Sequence, residues 1–306
     1  MHPAPSIVVF TVLSGAGYGL LAMLGLAVLA GFAERAAGLL ALGLGMALAA
    51  AGLLASTFHL GHPERAWRAF SQWRSSWLSR EGLAAVAAFL PAVVLGWLWL
   101  AGGGPWPPWG LLLAIASVVT VACTAMIYAS LKPIARWHSP WVPASYLGFA
   151  ASTGLAWLWL ALALTTRPPG LVPALVAVSS LVAWAVKLAY WRRTDDPAAP
   201  TANSATGLGP GQVRLVEPPH VGRNYILREM GFRVARKHAA KLRRIGLVLG
   251  GLVPTLLGLL GLALGADIVL APLAVLAAMT GTLVERWLFF AEARHTVMLF
   301  YGEQQA

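Results

Sequence analysis

Charged residues are scarce in this 306-residue chain, and their scarcity determines its class. Asp, Glu, Lys and Arg together make up 11% of the residues, against roughly 25% in a water-soluble domain, whose surface must be solvated. Hydrophobic residues make up 58%, and several stretches run about 20 residues without an ionisable group, which is the length that spans a bilayer core. The composition excludes a free-standing soluble protein and predicts an integral membrane protein.

Cysteine and metal-ligand motifs are also nearly absent. Cys123 is the single thiol, so an internal disulfide is excluded, and an iron–sulfur cluster would need about four cysteine ligands. A haem held by two histidines would need a facing pair, for which His59 and His295 are the one combination considered, and the glycine-rich stretch 207–211 lacks nucleotide-binding spacing. We therefore expect no haem, iron–sulfur cluster or other metal in this chain.

Eight apolar segments have the length of membrane-spanning helices. Residues 1–6 contain no Lys or Arg and the apolar run that follows is long enough to span, so the first segment is interpreted as a permanent helix rather than a secretory signal. We predict one all-α, polytopic membrane domain over residues 1–306, with six helices between residues 7 and 191, a basic loop at 192–244 and two helices between 245 and 301. The predicted spans are Ile7–Leu29, Ala37–Leu60, Glu81–Leu100, Trp109–Leu131, Val142–Leu164, Leu171–Trp191, Ile245–Leu264 and Ile268–Phe290, with Tyr301 as the furthest end considered for the last.

The basic residues predict the orientation. All but Arg35 and Arg167 of the 22 Lys and Arg residues fall on the side that would hold both termini. An excess of Lys and Arg marks the cytoplasmic side, so both termini are predicted to be cytoplasmic. The net charge of +11 is interpreted as attraction to anionic lipid headgroups rather than to nucleic acid, because the basic residues lie beside the membrane and on one side.

The loop at 192–244 has two parts. Residues 194–211 are rich in Pro, Ala, Gly and Ser and are expected to be flexible, whereas residues 224–244 have a basic, amphipathic helical pattern typical of a segment at the membrane surface. Part of this basic loop is expected to dock an acidic partner subunit. The arginines assigned to that role are Arg223, Arg228, Arg233 and Arg236.

The densest group of polar side chains lies where the second predicted helix ends and the third begins. Gly61 and Pro63 are expected to end the second helix, which puts His59 in its last turn. Glu81 falls in the first predicted turn of the third helix, with Ser79 as its N-cap. A quinone suits such a site, because its carbonyls accept hydrogen bonds, its reduction takes up protons and its tail needs an apolar slot. Histidine can donate those bonds and titrates near neutral pH.

Each polar residue also has a purely structural interpretation. Glu81 would then only complement the positive end of a helix dipole, and His59 would only place its polar tip among lipid headgroups. The loop arginines would only determine topology. Glu285 and Arg286 are expected to pair inside the bundle, because unpaired charges are costly in lipid; a contribution to a site or subunit contact is the alternative.

Four stretches resemble the membrane-anchor subunits of DMSO reductase-type molybdoenzymes. The resemblance is specific at the hairpin between the second and third helices and extends loosely over the eight-helix plan. The stretches are His2-Pro3-Ala4-Pro5-Ser6, Ser56-Thr57-Phe58-His59-Leu60-Gly61, Ser79-Arg80-Glu81 and the ending from Glu285-Arg286 to His295.

The resemblance implies a role in electron transfer. Such an anchor exchanges electrons between a quinone (ubiquinone or menaquinone) and a partner iron–sulfur subunit with four clusters, which serves a molybdopterin catalytic subunit in the bacterial inner membrane. The family's quinol-site histidine and carboxylate map onto His59 and Glu81, so both are expected to bind quinone and relay protons. Arg65, Arg74 and Trp77 are expected to line the pocket or to contact the iron–sulfur subunit.

The predicted topology and the family resemblance favour one direction of electron flow, which no residue of the sequence identifies by itself. The charge bias places the His59 side and the partner subunits in the cytoplasm, whereas DMSO reductase is usually exported. This arrangement resembles the anchors of cytoplasm-facing sulfite-oxidising complexes, so sulfite oxidation with quinone reduction is favoured over quinol oxidation by a DMSO reductase-type complex. A transporter is disfavoured because helices 1 to 6 carry few ionisable groups near mid-span. A purely structural anchor, with quinone bound elsewhere, stays open.

Overall fold

Eight helices of the structure are long and apolar enough to cross a membrane. The computed structural model describes residues 3–58, 60–166, 168, 170–195, 200–209, 211–217, 219, 222, 230 and 234–305, and in these ranges it contains no strand, only an isolated bridge between Thr201 and Gln305. The predicted all-α membrane fold is confirmed. The spans are α1 (Pro5–Leu29), α2 (Arg35–Thr57), α3 (Trp77–Leu100), α4 (Pro107–Ala129), α5 (Trp141–Thr165), α6 (Leu171–Thr194), α7 (Val234–Gly246, Leu247–Leu252 and Val253–Leu264) and α8 (Asp267–Ala291).

The helices form two four-helix groups that meet at α1 and α5. Helix α1 packs on α2, α4 and α5, while α5 to α8 pack on one another in a second group. Of the spanning helices, α1 is the most buried. Its contact with α5 is close because a Cβ at Gly19 would overlap the backbone of Ala150, and one at Gly154 would overlap the backbone of Gly19. Small residues let membrane helices approach in this way, since no hydrophobic force draws them together.

Helix α7 begins earlier than the hydrophobic pattern predicts. The prediction starts it at Ile245, whereas a helix already runs over Val234–Gly246, continues as a π-helical turn at Leu247–Leu252 and resumes as an α-helix at Val253–Leu264. Most of this polar first part lies within residues 224–244, whose basic amphipathic pattern predicts a helical segment leading into the span, and the structure joins the two into one helix. The π turn lies where Gly246, Gly250 and Gly251 face the Trp184 ring of α6, which leaves no room for a Cβ at Gly250.

Helix α8 ends earlier than the furthest prediction. It stops at Ala291, and a separate 3-10 helix covers Thr296–Tyr301, so the extension to Tyr301 is wrong. The new helix is capped by His295, whose Nδ1 accepts a hydrogen bond from the Val297 N–H at 3.0 Å. The Thr296 N–H also donates to the Pro133 carbonyl at 2.9 Å, which fixes the chain against the loop between α4 and α5.

Four ionised side chains form a network that connects loops and helix ends at one end of the second group. Arg136 contacts Asp195 at 2.6 Å and Glu292 at 3.1 Å, and Arg243 contacts the same two carboxylates at 2.6 Å and 2.8 Å. Burial opposes ionisation of Asp195, but the hydrogen bonds and charges of Arg243 and Arg136 outweigh it and hold the pKa of Asp195 below its usual value. The loops after α4 and α6, the start of α7 and the end of α8 therefore meet at one end of the bundle, which we call the basic end.

A second ion cluster is enclosed within the bundle. Lys187 of α6 lies 2.5 Å from one oxygen of Glu285, and the Arg286 Nε donates to the other oxygen. These three side chains are at most 2% exposed. The Lys187 ammonium also lies 3.9 Å from the Tyr190 ring centroid, and the Arg286 guanidinium lies 3.9 Å from that of Tyr146. The predicted internal pairing of Glu285 and Arg286 is confirmed, and Lys187 joins it.

The cluster predicts unequal effects for two substitutions. Glu285→Gln leaves two buried cations without their shared anion, so we expect a loss of about 3–5 kcal/mol in the free energy of unfolding. Lys187→Met leaves the neutral Glu285–Arg286 pair in place, so its loss should be much smaller. Thermal unfolding of the detergent-purified variants, followed by tryptophan fluorescence, measures both. Equal losses would show that the charge balance of the cluster does not control stability.

Candidate functional site

In the hairpin between α2 and α3, the end of α2 and the start of α3 both differ from the sequence prediction. Helix α2 ends at Thr57 instead of Leu60, and in its last turn the hydroxyls of Ser56 and Thr57 donate to the carbonyls of Leu53 and Leu54. A 3-10 helix over Pro63–Phe70 then follows. His59 lies outside the described residues, so its role stays a prediction.

Helix α3 begins four residues before its predicted start. Its N-cap is Ser76, whose hydroxyl accepts from the Ser79 N–H at 3.4 Å, so the prediction that Ser79 caps the helix is wrong. Glu81 consequently lies in the second turn rather than the first. The effect of the helix dipole falls off within the first turn, so complementing the helix end does not account for this carboxyl.

Glu81 is buried between α3 and α4. Its side chain is 5% exposed, and its Oε1 accepts a hydrogen bond from the Thr124 hydroxyl at 2.7 Å. The same hydroxyl lies 3.1 Å from the Thr120 carbonyl, and a hydroxyl has one proton to donate. An ionised Glu81 accepts a hydrogen bond from the Thr124 hydroxyl. A protonated Glu81 can instead donate to the Thr124 oxygen, which leaves the Thr124 proton free to bond the Thr120 carbonyl. The pair can therefore accommodate both protonation states.

Lipid-facing side chains lie close to this carboxyl. Leu78 and Leu83 are 51% and 40% exposed on the surface of the bundle. Helix α3 is also among the least buried of the eight spans. Glu81 is thus buried near the start of a helix that also exposes apolar side chains.

The other residues predicted to line the pocket lie on the loop that precedes α3 or at the start of that helix. Trp77 is half-buried at the first position of α3, with the Arg80 guanidinium 4.3 Å from its ring centroid. Arg74 is exposed and lies over the Trp73 ring, and Arg65 is exposed and lies 3.7 Å from Glu64. The described side-chain contacts of Arg65 and Arg74 are therefore made within the loop, and their part in binding quinone stays a prediction.

The sequence gives Arg80 only a role in determining topology, whereas the structure shows that it also holds the hairpin together. Its Nε donates to the Trp73 carbonyl at 2.9 Å, and its Nη2 donates to the Arg74 carbonyl at 2.6 Å. These bonds hold the loop against the start of α3. A basic residue in a charge-rich loop gives no sequence signal for such a role, because the chain must fold back before the two carbonyls face it.

The loop also exposes aromatic rings. Phe58 is 84% exposed and Trp67 65%, and both belong to the segment 58–73, which we call the aromatic loop. Arginines lie over neighbouring rings of this loop: Arg68 lies 5.6 Å from the Trp67 ring centroid and Arg74 lies 5.4 Å from that of Trp73. Amphipathic rings and arginines of this kind are enriched at membrane interfaces and at protein interfaces.

The predicted docking arginines cannot be placed. Arg223, Arg228 and Arg233 lie outside the described residues, and Arg236 lies on the described backbone of α7 without a described side chain. His295, considered for haem, instead uses its Nδ1 as a helix cap, and burial lowers its pKa. No cluster of three or more possible metal ligands occurs among the described residues.

Comparison with known proteins gives two matches. The family model for the DMSO reductase anchor subunit (DmsC) matches residues 1–302. The chain is 34% identical to a subunit of the sulfite dehydrogenase of Allochromatium vinosum, over 98% of this chain and 99% of that protein. Both matches cover all eight spans, including the hairpin that carries Glu81.

The contact between Glu81 and Thr124 predicts energetic coupling. Thr124→Val removes the hydroxyl from a buried carboxyl, which we expect to cost about 1–3 kcal/mol in the free energy of unfolding. In a Glu81→Gln background the amide can still accept from Thr124 but carries no charge, so the same replacement should cost less. Thermal unfolding of the two single variants and the double variant gives the coupling energy. Additive losses would mean that the hydroxyl does not stabilise the carboxyl.

Proposed function

The chain belongs to the family of DMSO reductase anchor subunits, and we propose its function on that basis. It holds a molybdopterin catalytic subunit and an iron–sulfur subunit on the membrane, and it carries the site at which electrons pass between that iron–sulfur subunit and a quinone. The similarity to a sulfite dehydrogenase subunit supports sulfite oxidation with quinone reduction as the overall reaction. Quinol oxidation by a DMSO reductase-type complex is the alternative direction.

The observation that carries this proposal is the burial of Glu81. A carboxyl inside a membrane bundle is costly and usually marks a site of proton or substrate handling. Here it has a threonine hydroxyl as a hydrogen-bond partner and lies next to lipid-facing leucines. A quinone can approach from the lipid, place its tail along the exposed face of α3 and bring its ring to the end of the bundle.

The residues have separate parts in the reaction. A quinone accepts two electrons and two protons when it becomes a quinol, and the electrons come from the iron–sulfur clusters of the partner. His59, which follows Phe58 in the chain, donates a hydrogen bond to a ring carbonyl and holds the quinone in place. Glu81 passes protons to the quinone oxygens, and Thr124 hydrogen-bonds its carboxyl in either protonation state. A group positioned for proton transfer typically contributes a factor of about 10²–10⁴ to the rate.

The partner subunits bind at the basic end, which we propose faces the cytoplasm. The Arg136–Asp195–Arg243–Glu292 network makes this end rigid, because it ties three loop or helix ends to α8. The aromatic loop offers rings and arginines to the iron–sulfur subunit close to the Glu81 site. Arg223, Arg228, Arg233 and Arg236 add positive charge for an acidic surface of that subunit.

Two substitutions test the proposed site. In the intact complex, the iron–sulfur clusters are reduced chemically, and their reoxidation by a short-chain ubiquinone is followed by visible absorption. We expect His59→Ala and Glu81→Gln to slow this reaction by about 10²–10⁴-fold, because they remove the hydrogen-bond donor and the proton carrier. Reoxidation by a soluble dye should keep its wild-type rate, because the dye takes electrons directly from the clusters.

A matched control separates a local effect from a general one. Glu34 is exposed at the N-cap of α2, far along the helix from the hairpin, and Glu34→Gln should leave both reactions unchanged. Quinone reoxidation at the wild-type rate in both His59→Ala and Glu81→Gln would disprove the site and leave a purely structural anchor.

A further inference from the structure

An apolar groove lies on the outer surface of the bundle, between the start of α1 and helices α7 and α8. Its volume is about 400 Å³, which falls in the range of small-ligand sites. None of the residues that line it can ionise. They include Val8 and Val9 of α1, Leu242 of α7, and Leu283 and Trp287 of α8.

The groove begins at the membrane boundary of the basic end. Leu242 precedes Arg243, which belongs to the ion network of that end, and Trp287 lies four residues before the end of α8. From there the groove continues along the spans, where Val9 and Leu283 are 38% and 42% exposed. Lipid chains cover the exposed apolar side chains of a spanning helix, and tryptophan is enriched at the level of the headgroups. A lipid therefore suits this groove.

Basic side chains stand on the water side of the groove. His238 and Lys241 are exposed on the polar first part of α7. His238 precedes Leu242 by four residues, so the two lie on the same face of the helix and His238 is one turn closer to water. The arginines of the ion network are balanced by its two carboxylates. In contrast, no carboxylate contacts Lys241 within the described part of the chain.

We propose that this groove binds one anionic phospholipid, with an acyl chain along Val9 and Leu283 and the phosphate beside His238 and Lys241. The groove supplies apolar contact and its water side supplies unbalanced positive charge, which match the two parts of such a lipid. Basic pockets between membrane helices bind anionic headgroups in this way. The site goes beyond the proposed function and does not depend on it, because none of the residues proposed to bind quinone lines the groove.

The bound lipid contacts both groups of helices. Val8 and Val9 belong to α1 of the first group, whereas Leu242 and Leu283 belong to α7 and α8 of the second. One acyl chain therefore packs against both groups at the end where the partner subunits are proposed to bind. A ligand that binds the folded chain and not the unfolded one raises the melting temperature, so this lipid should stabilise the chain.

Native mass spectrometry of the full-length chain tests the headgroup preference. The chain is reconstituted into vesicles of equal phosphatidylglycerol and phosphatidylethanolamine, then extracted in mild detergent, and the retained lipids are counted. We expect one phosphatidylglycerol to be retained in preference to phosphatidylethanolamine. Lys241→Gln should lower that retention about fivefold, which is the contribution of one basic residue close to an anionic headgroup.

Arg244→Gln is the matched control. It removes another exposed cation from the same helix, but Arg244 lies two residues beyond Leu242 and so points to the opposite side of the helix. Its retention of phosphatidylglycerol should stay near that of the unmodified chain. Equal losses in Lys241→Gln and Arg244→Gln, or equal retention of the two lipids by the unmodified chain, would overturn the site, because general surface charge or apolar contact would then explain the binding.

A second pair of variants tests the groove itself. Val9→Trp fills the space of the acyl chain from an exposed position, so the larger ring does not enter the core. We expect this variant to lose the selective retention of phosphatidylglycerol. Val178→Trp adds the same ring to a 57% exposed position of α6 outside the groove and should keep it. Retention by Val9→Trp at the level of the unmodified chain would overturn the proposal.

Thermal unfolding distinguishes a lipid from a free anion. Phosphatidylglycerol added to the detergent-purified chain should raise its melting temperature, and inorganic phosphate should not, because it has no acyl chain. Protection by phosphate alone would overturn the site, as would release of the lipid when the partner subunits bind, since the groove would then belong to a protein contact. A chain that retains the lipid but passes no electrons to quinone would support the lipid site and refute the proposed function.

Discussion

An ionised side chain inside a lipid-embedded bundle is stable only when other groups replace the water it has lost. This constraint explains the most informative contacts of the structure. Glu285 satisfies two cations at once, and aromatic rings cover the faces of those cations. Glu81 has a single threonine hydroxyl for the same purpose. This difference supports the proposal that Glu81 exchanges a proton, whereas two ion pairs hold Glu285 in place.

Glu81 belongs to the first group of helices and Glu285 to the second, and the contact between α1 and α5 joins the two groups. Helix α1 belongs to the first group of helices and also lies against α5 of the second, where Gly19 and Gly154 bring the backbones together. Thr11 and Gly15 lie on the same helix as Gly19, about two turns and one turn towards the start of α1. The small residues that allow the close approach also leave space beside Tyr146. Packing and polar chemistry are therefore linked along a single helix.

The sequence predicts the fold well and the site only in part, for identifiable reasons. Apolar length and loop composition were sufficient to find all eight spans, because lipid imposes them directly. The start of α3 was misplaced because Ser76 and Ser79 are both good caps, and only the backbone shows which one receives the N–H. The π turn of α7 packs its glycines against Trp184, which comes from another helix and is distant in the sequence. The role of Lys187 was missed because its partner, Glu285, is distant in the sequence.

The proposed function depends on a quinone binding beside Glu81. The most direct measurement is a cryo-electron microscopy structure of the complex with a bound quinone-site inhibitor. The account predicts that the inhibitor's polar ring lies within hydrogen-bonding distance of Glu81, between the aromatic loop and the start of α3. Inhibitor density elsewhere, for instance in the apolar groove lined by Pro5, Val8, Leu242 and Trp287, with none near Glu81, would contradict it.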